Sequence, residues 1–373
     1  MTDTTTNART TSPGNGDVDA RRVTRFATEV AAAMSDELAA RWIAIARRYG
    51  AAIGCGTEGA FVCDVATLDG GEYVRPLLAA ASYAGCGGTD YDDITTLAIA
   101  LQFLHVGLCA HNDLIDDEDI RHGRPNMLAR ARQDPLINAR PAHTAQRHVT
   151  ARSVLAGDLA VGAAFTAVTE MTISPRLMAA ITKQFALALE TSVLGEFADT
   201  YAELLDVDTT DTVVRAERKT ASSSTVLPLV SGAICAGQTD EASLHQLTGV
   251  GLALGLSYQL ADDLLSVVGD SALSGKPLFS NIRAGKHTEL VRQALRRADR
   301  HQRSIIERCL GNDVDGTAGP MLAAIFHDTG AVGAVRSMID QCTERIAASR
   351  LQFAPGLRDH LVHIAHALAR RVA

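Results

Sequence analysis

Aromatic residues are scarce in this chain: one tryptophan in 373 residues and 4% aromatics overall, although 47% of the sequence is hydrophobic. Ala, Leu and Val carry the apolar content, which favours packed helices over a β-sandwich. Disulfide and zinc frameworks are also missing. The seven cysteines (Cys55, Cys63, Cys86, Cys109, Cys235, Cys309 and Cys342) are odd in number, scattered and without metal spacing, as expected of reduced thiols in a cytoplasmic protein. There is no excess of basic residues. Lys+Arg is 35 against Asp+Glu 43, a net charge of −8, so a nucleic-acid partner is not indicated. An anionic substrate is not excluded, because local cations and a metal can hold phosphates on an acidic protein. No run approaches the ~20 apolar residues of a membrane span, so none is expected. The segment Met1–Asp17, rich in Thr, Gly and Asn, reads as neither signal peptide nor anchor. The expected division is a disordered tail over 1–20 and one helical domain over 21–373.

What is present is helical periodicity. Apolar positions recur at helical spacing from Val23 to about Arg48, with Gly50 and Gly54 ending that helix. Further helices are expected from Val74, over Asp92–Ile115, and over about 142–172, 176–204, 210–216, 219–236 and 240–268. Pro125 to Pro141 reads as a loop with short helical pieces, and Pro277 and Gly285 mark another loop. No strand alternation or solenoid repeat is visible. The expected fold is all-α: one domain with a central bundle of long helices, the core ones hydrophobic on most faces.

Two acidic clusters end apolar helices. The first is Asn112-Asp113-Leu114-Ile115-Asp116-Asp117, where Asn112 and Asp116 share a face. The second is Asp262-Asp263-Leu264-Leu265-Ser266, extended by Asp270 if the helix continues. Either cluster alone is also what a solvated acidic helix end looks like. Carboxylates at the ends of buried helices need a cationic partner. Magnesium suits them, because it takes one or two carboxylates and completes its shell with water and substrate phosphates. Single cations stand beside Gly, Pro or a helix start at Arg121, Lys219, Lys276 and Lys286, positions that suit phosphate contacts.

With these residues assembled, the chain resembles the trans-isoprenyl diphosphate synthases (polyprenyl synthetase family), of the actinobacterial geranylgeranyl type, over about 60–350. The ordered motifs are Gly70-Gly71-Glu72-Tyr73-Val74-Arg75-Pro76, Leu104-His105, Asn112 to Asp116, Arg121-His122-Gly123-Arg124-Pro125, Gly157-Asp158, Gly195-Glu196-Phe197-Ala198-Asp199, Lys219-Thr220, Tyr258-Gln259-Leu260-Ala261-Asp262-Asp263 and Gly275-Lys276. The resemblance implies a deep central cavity within the helical bundle, and a homodimer that ionises an allylic prenyl diphosphate, of roughly C10 to C20, and joins it to isopentenyl diphosphate inside apolar walls. It implies Asp116 and Asp262 as ligands of Mg²⁺ (three ions in all), with Asn112, Ser266 and Asp270 at further ligand positions. Asp113 and Asp263 would support the clusters. Arg121, Lys219, Gln259, Lys276 and Lys286 would hold the allylic diphosphate; Arg75 and His105 would contact isopentenyl diphosphate. Asp116, Asp262, Lys219 and Asp113 would be the catalytic group.

The departures concern the acceptor. Glu72 stands where the family carries Lys, Tyr73 where it carries Arg, and His122 in place of a second Arg. A carboxylate there opposes a diphosphate, which leaves room for an unusual acceptor. Asp262, Ser266 and Asp270 also have the spacing of the metal triad of class I terpene cyclases, so cyclisation of one allylic substrate is an alternative. An inactive regulatory subunit of a synthase is another. Gly107 and Leu108, five and four residues before the first cluster, carry no bulky aromatic. They would leave the floor of the tail cavity open, unless Gly107 serves close helix packing.

Overall fold

A computed structural model of the chain describes residues 19–53, 57–207, 211–268, 278–314 and 318–371. The helices are α1 (Ala20–Ile53), α2 (Thr57–Ala66), α3 (Val74–Gly85), α4 (Asp92–Ile115), α5 (Met127–Gln133), α6 (Pro135–Asn138), α7 (Ala142–Thr169), α8 (Pro175–Ala202) and α9 (Thr212–Ala216). A π-helix over Glu217–Val226 then leads into α10 (Leu227–Cys235) and α11 (Glu241–Val268). The chain continues through α12 (Ser280–Arg283), α13 (Glu289–Arg297), α14 (Arg300–Cys309), α15 (Ala318–Asp328), α16 (Ala331–Ala347) and α17 (Pro355–Arg371). The expected all-α class holds. One cluster of buried apolar side chains runs from Val23 to Leu368, with Trp42 set edge-on against Phe103 at 4.6 Å.

Local sequence accounts for the elements that place the site. Asp92 and Asp93 lie in the first turn of α4, where the helix dipole favours carboxylates. That helix ends at the first acidic cluster because Asp117 turns left-handed at φ 53°. A two-residue antiparallel ladder follows, pairing Ile120 with Pro125 and Arg121 with Arg124. Its turn residues, His122 and Gly123, have φ of 52° and 70°, the double positive φ of a type I′ hairpin turn. The hairpin folds Arg121 back onto α4.

The sequence reading places one helix over 219–236. Instead the first ten residues of the segment 217–235 form the π-helix, a form that concentrates at functional sites. Small residues let its neighbours close on it. A Cβ on Gly195 of α8 would stand 2.3 Å from the Lys219 backbone nitrogen, and one on Gly255 of α11 would stand 2.3 Å from Ala221 Cβ. Three other expectations are corrected. The first helix runs through Gly50 to Ile53, and α2 was not anticipated. Three helices, Asp92–Ile115, Ala142–Thr169 and Pro175–Ala202, are by length and composition apolar enough to cross a membrane. Counting uninterrupted apolar runs overlooks them, because scattered polar residues lower their average too little to matter. In α4 the apolar window is 72% buried in the bundle, whereas in α8 only 22% is.

Candidate functional site

The ends of α4, α8 and α11 and the π-helix meet around one network of charges. Arg121 donates to Asp113 through Nε at 2.8 Å and through a guanidinium nitrogen, and to Asn112 Oδ1 at 3.1 Å. Asn112 Nδ2 donates in turn to Asp116 Oδ2 at 2.9 Å and Glu196 Oε1 at 3.3 Å. Lys219 Nζ joins Glu196 Oε1 at 2.9 Å to Asp199 Oδ2 at 2.6 Å. Asp199 also faces Arg215 at 3.7 Å. Lys286, just beyond α12, donates to Asp116 Oδ2. The first cluster and the basic residues Arg121, Lys219 and Lys286 are thus brought together across 174 positions of sequence from Asn112 to Lys286.

Burial sets the electrostatics. Desolvation lowers the Lys219 ammonium, but the Asp199 and Glu196 carboxylates outweigh it and hold the group above its ordinary value. Burial likewise pushes the Asp199 carboxyl up, and Lys219 brings it below its ordinary value. The same contest ends with Arg121 raised, chiefly by Cys109 and Asp113 against its own burial. These cations stay charged.

In the second cluster, Asp262 is exposed while Asp263 is buried. Burial pushes the Asp263 carboxyl up to about 7, against a 3.0 Å hydrogen bond from Gln259 Nε2. Gln259 is fixed by Thr220 of the π-helix, whose hydroxyl donates to Gln259 Oε1 at 2.7 Å. Two expected ligand oxygens have other partners. Ser266 Oγ donates to the Asp263 carbonyl at 2.7 Å and lies 3.4 Å from Asn281 Nδ2; Asn112 Oδ1 accepts from Arg121. Asp270 and Lys276 lie outside the described residues.

The donor set is one of hard oxygens, from Asp116, Glu196, Asp199 and Asp262. Among the described residues no group of three or more His, Cys, Asp or Glu is poised for a metal. This set does not suit a resident structural zinc. It does suit magnesium, which needs few protein carboxylates and arrives with phosphate.

A second polar cluster borders Arg121. His105 stands on α4 with Cys109 Sγ 3.4 Å from its Nδ1, and its ring centroid is 6.3 Å from that of His122. Arg75 of α3 donates to Ser224 Oγ of the π-helix at 2.5 Å. Burial, then the charges of Arg75 and Arg121, hold His105 well below its ordinary value. Glu72 is exposed at the rim, and Tyr73 sits left-handed at φ 49° with its hydroxyl on Asp69 Oδ2 at 2.9 Å.

At Gly107 the close-packing alternative is the one seen. A Cβ there would meet the Gly157 carbonyl oxygen and Val161 Cγ2, each at 2.9 Å, so α7 fills the position. Leu108 is half-buried beside the core. Sequence reasoning named Glu196 and Asp199 only as parts of a motif. Their role as partners of Lys219 was not visible, and neither was that of Arg215, Ser224 or Asn281. The i, i+3 spacing of Glu196 and Asp199 on one helix face was the available signal.

The model of the polyprenyl synthetase family matches residues 62–319. A short chain isoprenyl diphosphate synthase of Methanothermobacter thermautotrophicus is 31% identical over 247 residues, covering 65% of this chain and 69% of that protein. A geranylgeranyl diphosphate synthase of Saccharolobus solfataricus is 28% identical over 246 residues, covering 65% and 68%. Among solved structures, a geranylgeranyl pyrophosphate synthase from Corynebacterium glutamicum, complexed with isoprenyl diphosphate and magnesium, superposes with a TM-score of 0.81 at 25% identity, over 94% of this chain and 99% of that one.

Proposed function

The chain belongs to the polyprenyl synthetase family and is a transferase of the polyprenyl diphosphate synthase type; we propose that it ionises an allylic prenyl diphosphate with magnesium and passes the prenyl group to isopentenyl diphosphate or another nucleophile. The observation that carries this is the meeting of Lys219 with Glu196 and Asp199 and of Lys286 with Asp116, beside Arg121 on Asp113 and Asn112. Asp116 and Asp262 are assigned to hold magnesium, which when bound stabilises the charge of the departing diphosphate. Lys219 is kept charged by Asp199 and Glu196, and Lys286 is held in place by Asp116, until a diphosphate offers its own oxygens. Arg121 is fixed by Asp113, so its orientation costs little when substrate arrives. Gln259, held by Thr220, orients the second cluster. The apolar faces of α4 and α8 shield the reacting carbon from water. Asn112 is assigned a bridging role between Asp116 and Glu196, in keeping with its two donor contacts.

The exposed apolar face of α8, including Leu194, Phe197 and Tyr201, supports a homodimer. The cyclase alternative gains nothing from Ser266, whose hydroxyl is engaged within its own helix. The test is incubation of the purified protein and Mg²⁺ with dimethylallyl, geranyl and farnesyl diphosphate, each with and without isopentenyl diphosphate. Diphosphate release and product masses are then read. Release is expected from at least one donor; absence of release from all would refute the reading.

A further inference from the structure

The polar cluster bordering Arg121 is built differently from the one around Lys219, and the difference bears on what it can accept. Its cations are few, and most of their donors are engaged. Arg121 is given over to Asp113 and Asn112. Arg75 is tied to Ser224, and its Nε is buried without an acceptor. Arg124 donates to the Asp69 carbonyl at 2.7 Å. Against Arg75 and Arg124 stand two carboxylates, Asp69 and Glu72. Asp69 is held by Tyr73 Oη and by Gln102 Nε2 at 2.6 Å. Glu72 is exposed at the rim.

The rest of the cluster is neutral. His122 lies flat on the glycine loop: a Cβ on Gly71 would be 2.8 Å from His122 Cε1. Burial and the neighbouring arginines lower both imidazoles, and burial with the nearby Glu72 charge keeps the Tyr258 hydroxyl protonated. Arg371 near Tyr258 adds one cation and Glu118 beside Arg121 one carboxylate, so the cluster offers no net positive charge. The donor cluster retains two lysines within reach of one another's carboxylates. The donor cluster has more carboxylates than lysines, and there magnesium would supply the positive charge a diphosphate needs; at the acceptor cluster a strongly anionic group gains only from cations that the cluster itself leaves uncompensated.

We propose that the acceptor half of this site takes a phosphate-free nucleophile bearing an N–H or O–H, rather than isopentenyl diphosphate. This rests on the donor reading above. The step balances without a co-reactant. The C1–O bond of the allylic diphosphate breaks and its electron pair leaves with the diphosphate. A lone pair on the nucleophile's nitrogen or oxygen bonds to C1. The proton it sheds passes to the neutral imidazole of His105 and from there to solvent. Glu72 at the rim repels a second diphosphate and tolerates a neutral or cationic amine or alcohol.

The experiment compares the wild-type protein with a Glu72→Lys, Tyr73→Arg, His122→Arg triple variant. Tyr73 and His122 already hold positive φ as non-glycine residues, so the new side chains inherit backbone the chain sustains. Circular dichroism checks that the variant is folded. The acceptor probes are isopentenyl diphosphate on one side and isopentenol, phenol and benzylamine on the other, with geranyl diphosphate and Mg²⁺. The expected result is poor use of isopentenyl diphosphate by the wild type, a prenylated ether or amine with at least one of the three other probes, and a gain of about tenfold or more in kcat/KM for isopentenyl diphosphate in the variant. A ratio of those kcat/KM values near one overturns the proposal, and so does the absence of a prenylated product with all three of the other probes. If no donor releases diphosphate in the wild type, the donor reading falls and this inference with it. A wild type that elongates efficiently, with an unimproved variant, overturns the acceptor class alone.

Discussion

Removing the Lys219 ammonium tests the charge network directly. Lys219→Met keeps the length and apolar stem of the side chain and deletes its charge. Lys219, Glu196 and Asp199 are each 19% exposed, so the change leaves two partly buried carboxylates without their shared cation. Breaking one partner out of a buried ion pair costs about 3–5 kcal/mol. Arg215 near Asp199 and Asn112 near Glu196 remain as partial compensation, so the lower end, about 3 kcal/mol, is expected here. At about 2 °C per kcal/mol for a chain of this size, Tm should fall by about 6 °C. The pH dependence separates charge from packing. The raised Lys219 group contributes stability that is fully present at neutral pH and lost only as pH rises through its folded value. The depressed Asp199 carboxyl contributes stability present above its unfolded value and lost as pH falls through its folded one. In the variant the carboxylates have no such partner and take up protons more readily. The deficit should therefore be largest near neutral pH and shrink on acidification toward about pH 4. Thermal melts followed by circular dichroism across that range measure it. A deficit that does not change with pH would refute the charge argument, and no deficit at all would mean that the lysine does not hold the two carboxylates.

Other consequences are equally direct. Gly195→Ala should destabilise by about 1–3 kcal/mol, because its Cβ would meet the Lys219 backbone and push α8 off the π-helix; denaturant titration reads the loss, and Lys219-dependent turnover should fall with it. Asp116→Ala and Asp262→Ala should each abolish Mg²⁺-dependent diphosphate release while helicity is kept; persistent release would refute the ligand assignment. Phe197→Glu, at a side chain 66% exposed on the apolar face of α8, should shift the protein from dimer to monomer by light scattering, and an unchanged mass would move the interface elsewhere.

Much of this molecule is legible before any coordinates are seen, and the reasons differ by level. The boundaries of α4 are set by local chemistry: an acidic first turn, an apolar run, then polar residues from His111 onward, so the expected and observed limits coincide at Asp92 and Ile115. The π-helix is not legible, because a widened turn leaves the same apolar spacing over ten residues and depends on Gly195 and Gly255 of other helices. The same holds for charge. Spacing brings Asn112 and Asp116 to one face, but it cannot show that the amide is turned with its nitrogen toward the carboxylates and its oxygen toward Arg121. At Gly107 spacing alone leaves two readings open. Read along one helix, a missing side chain suggests space; read between two helices, it is the place where α7 comes within contact distance of α4. Sequence periodicity thus locates which groups face the site, whereas the partners that decide their charge and orientation come from helices distant in sequence. For this protein that distinction falls on the acceptor. The substitutions Glu72, Tyr73 and His122 are visible as letters, but only the structure shows Tyr73 anchored on Asp69, His122 packed on Gly71 and the Arg124 guanidinium spent on the Asp69 carbonyl beside Gly70.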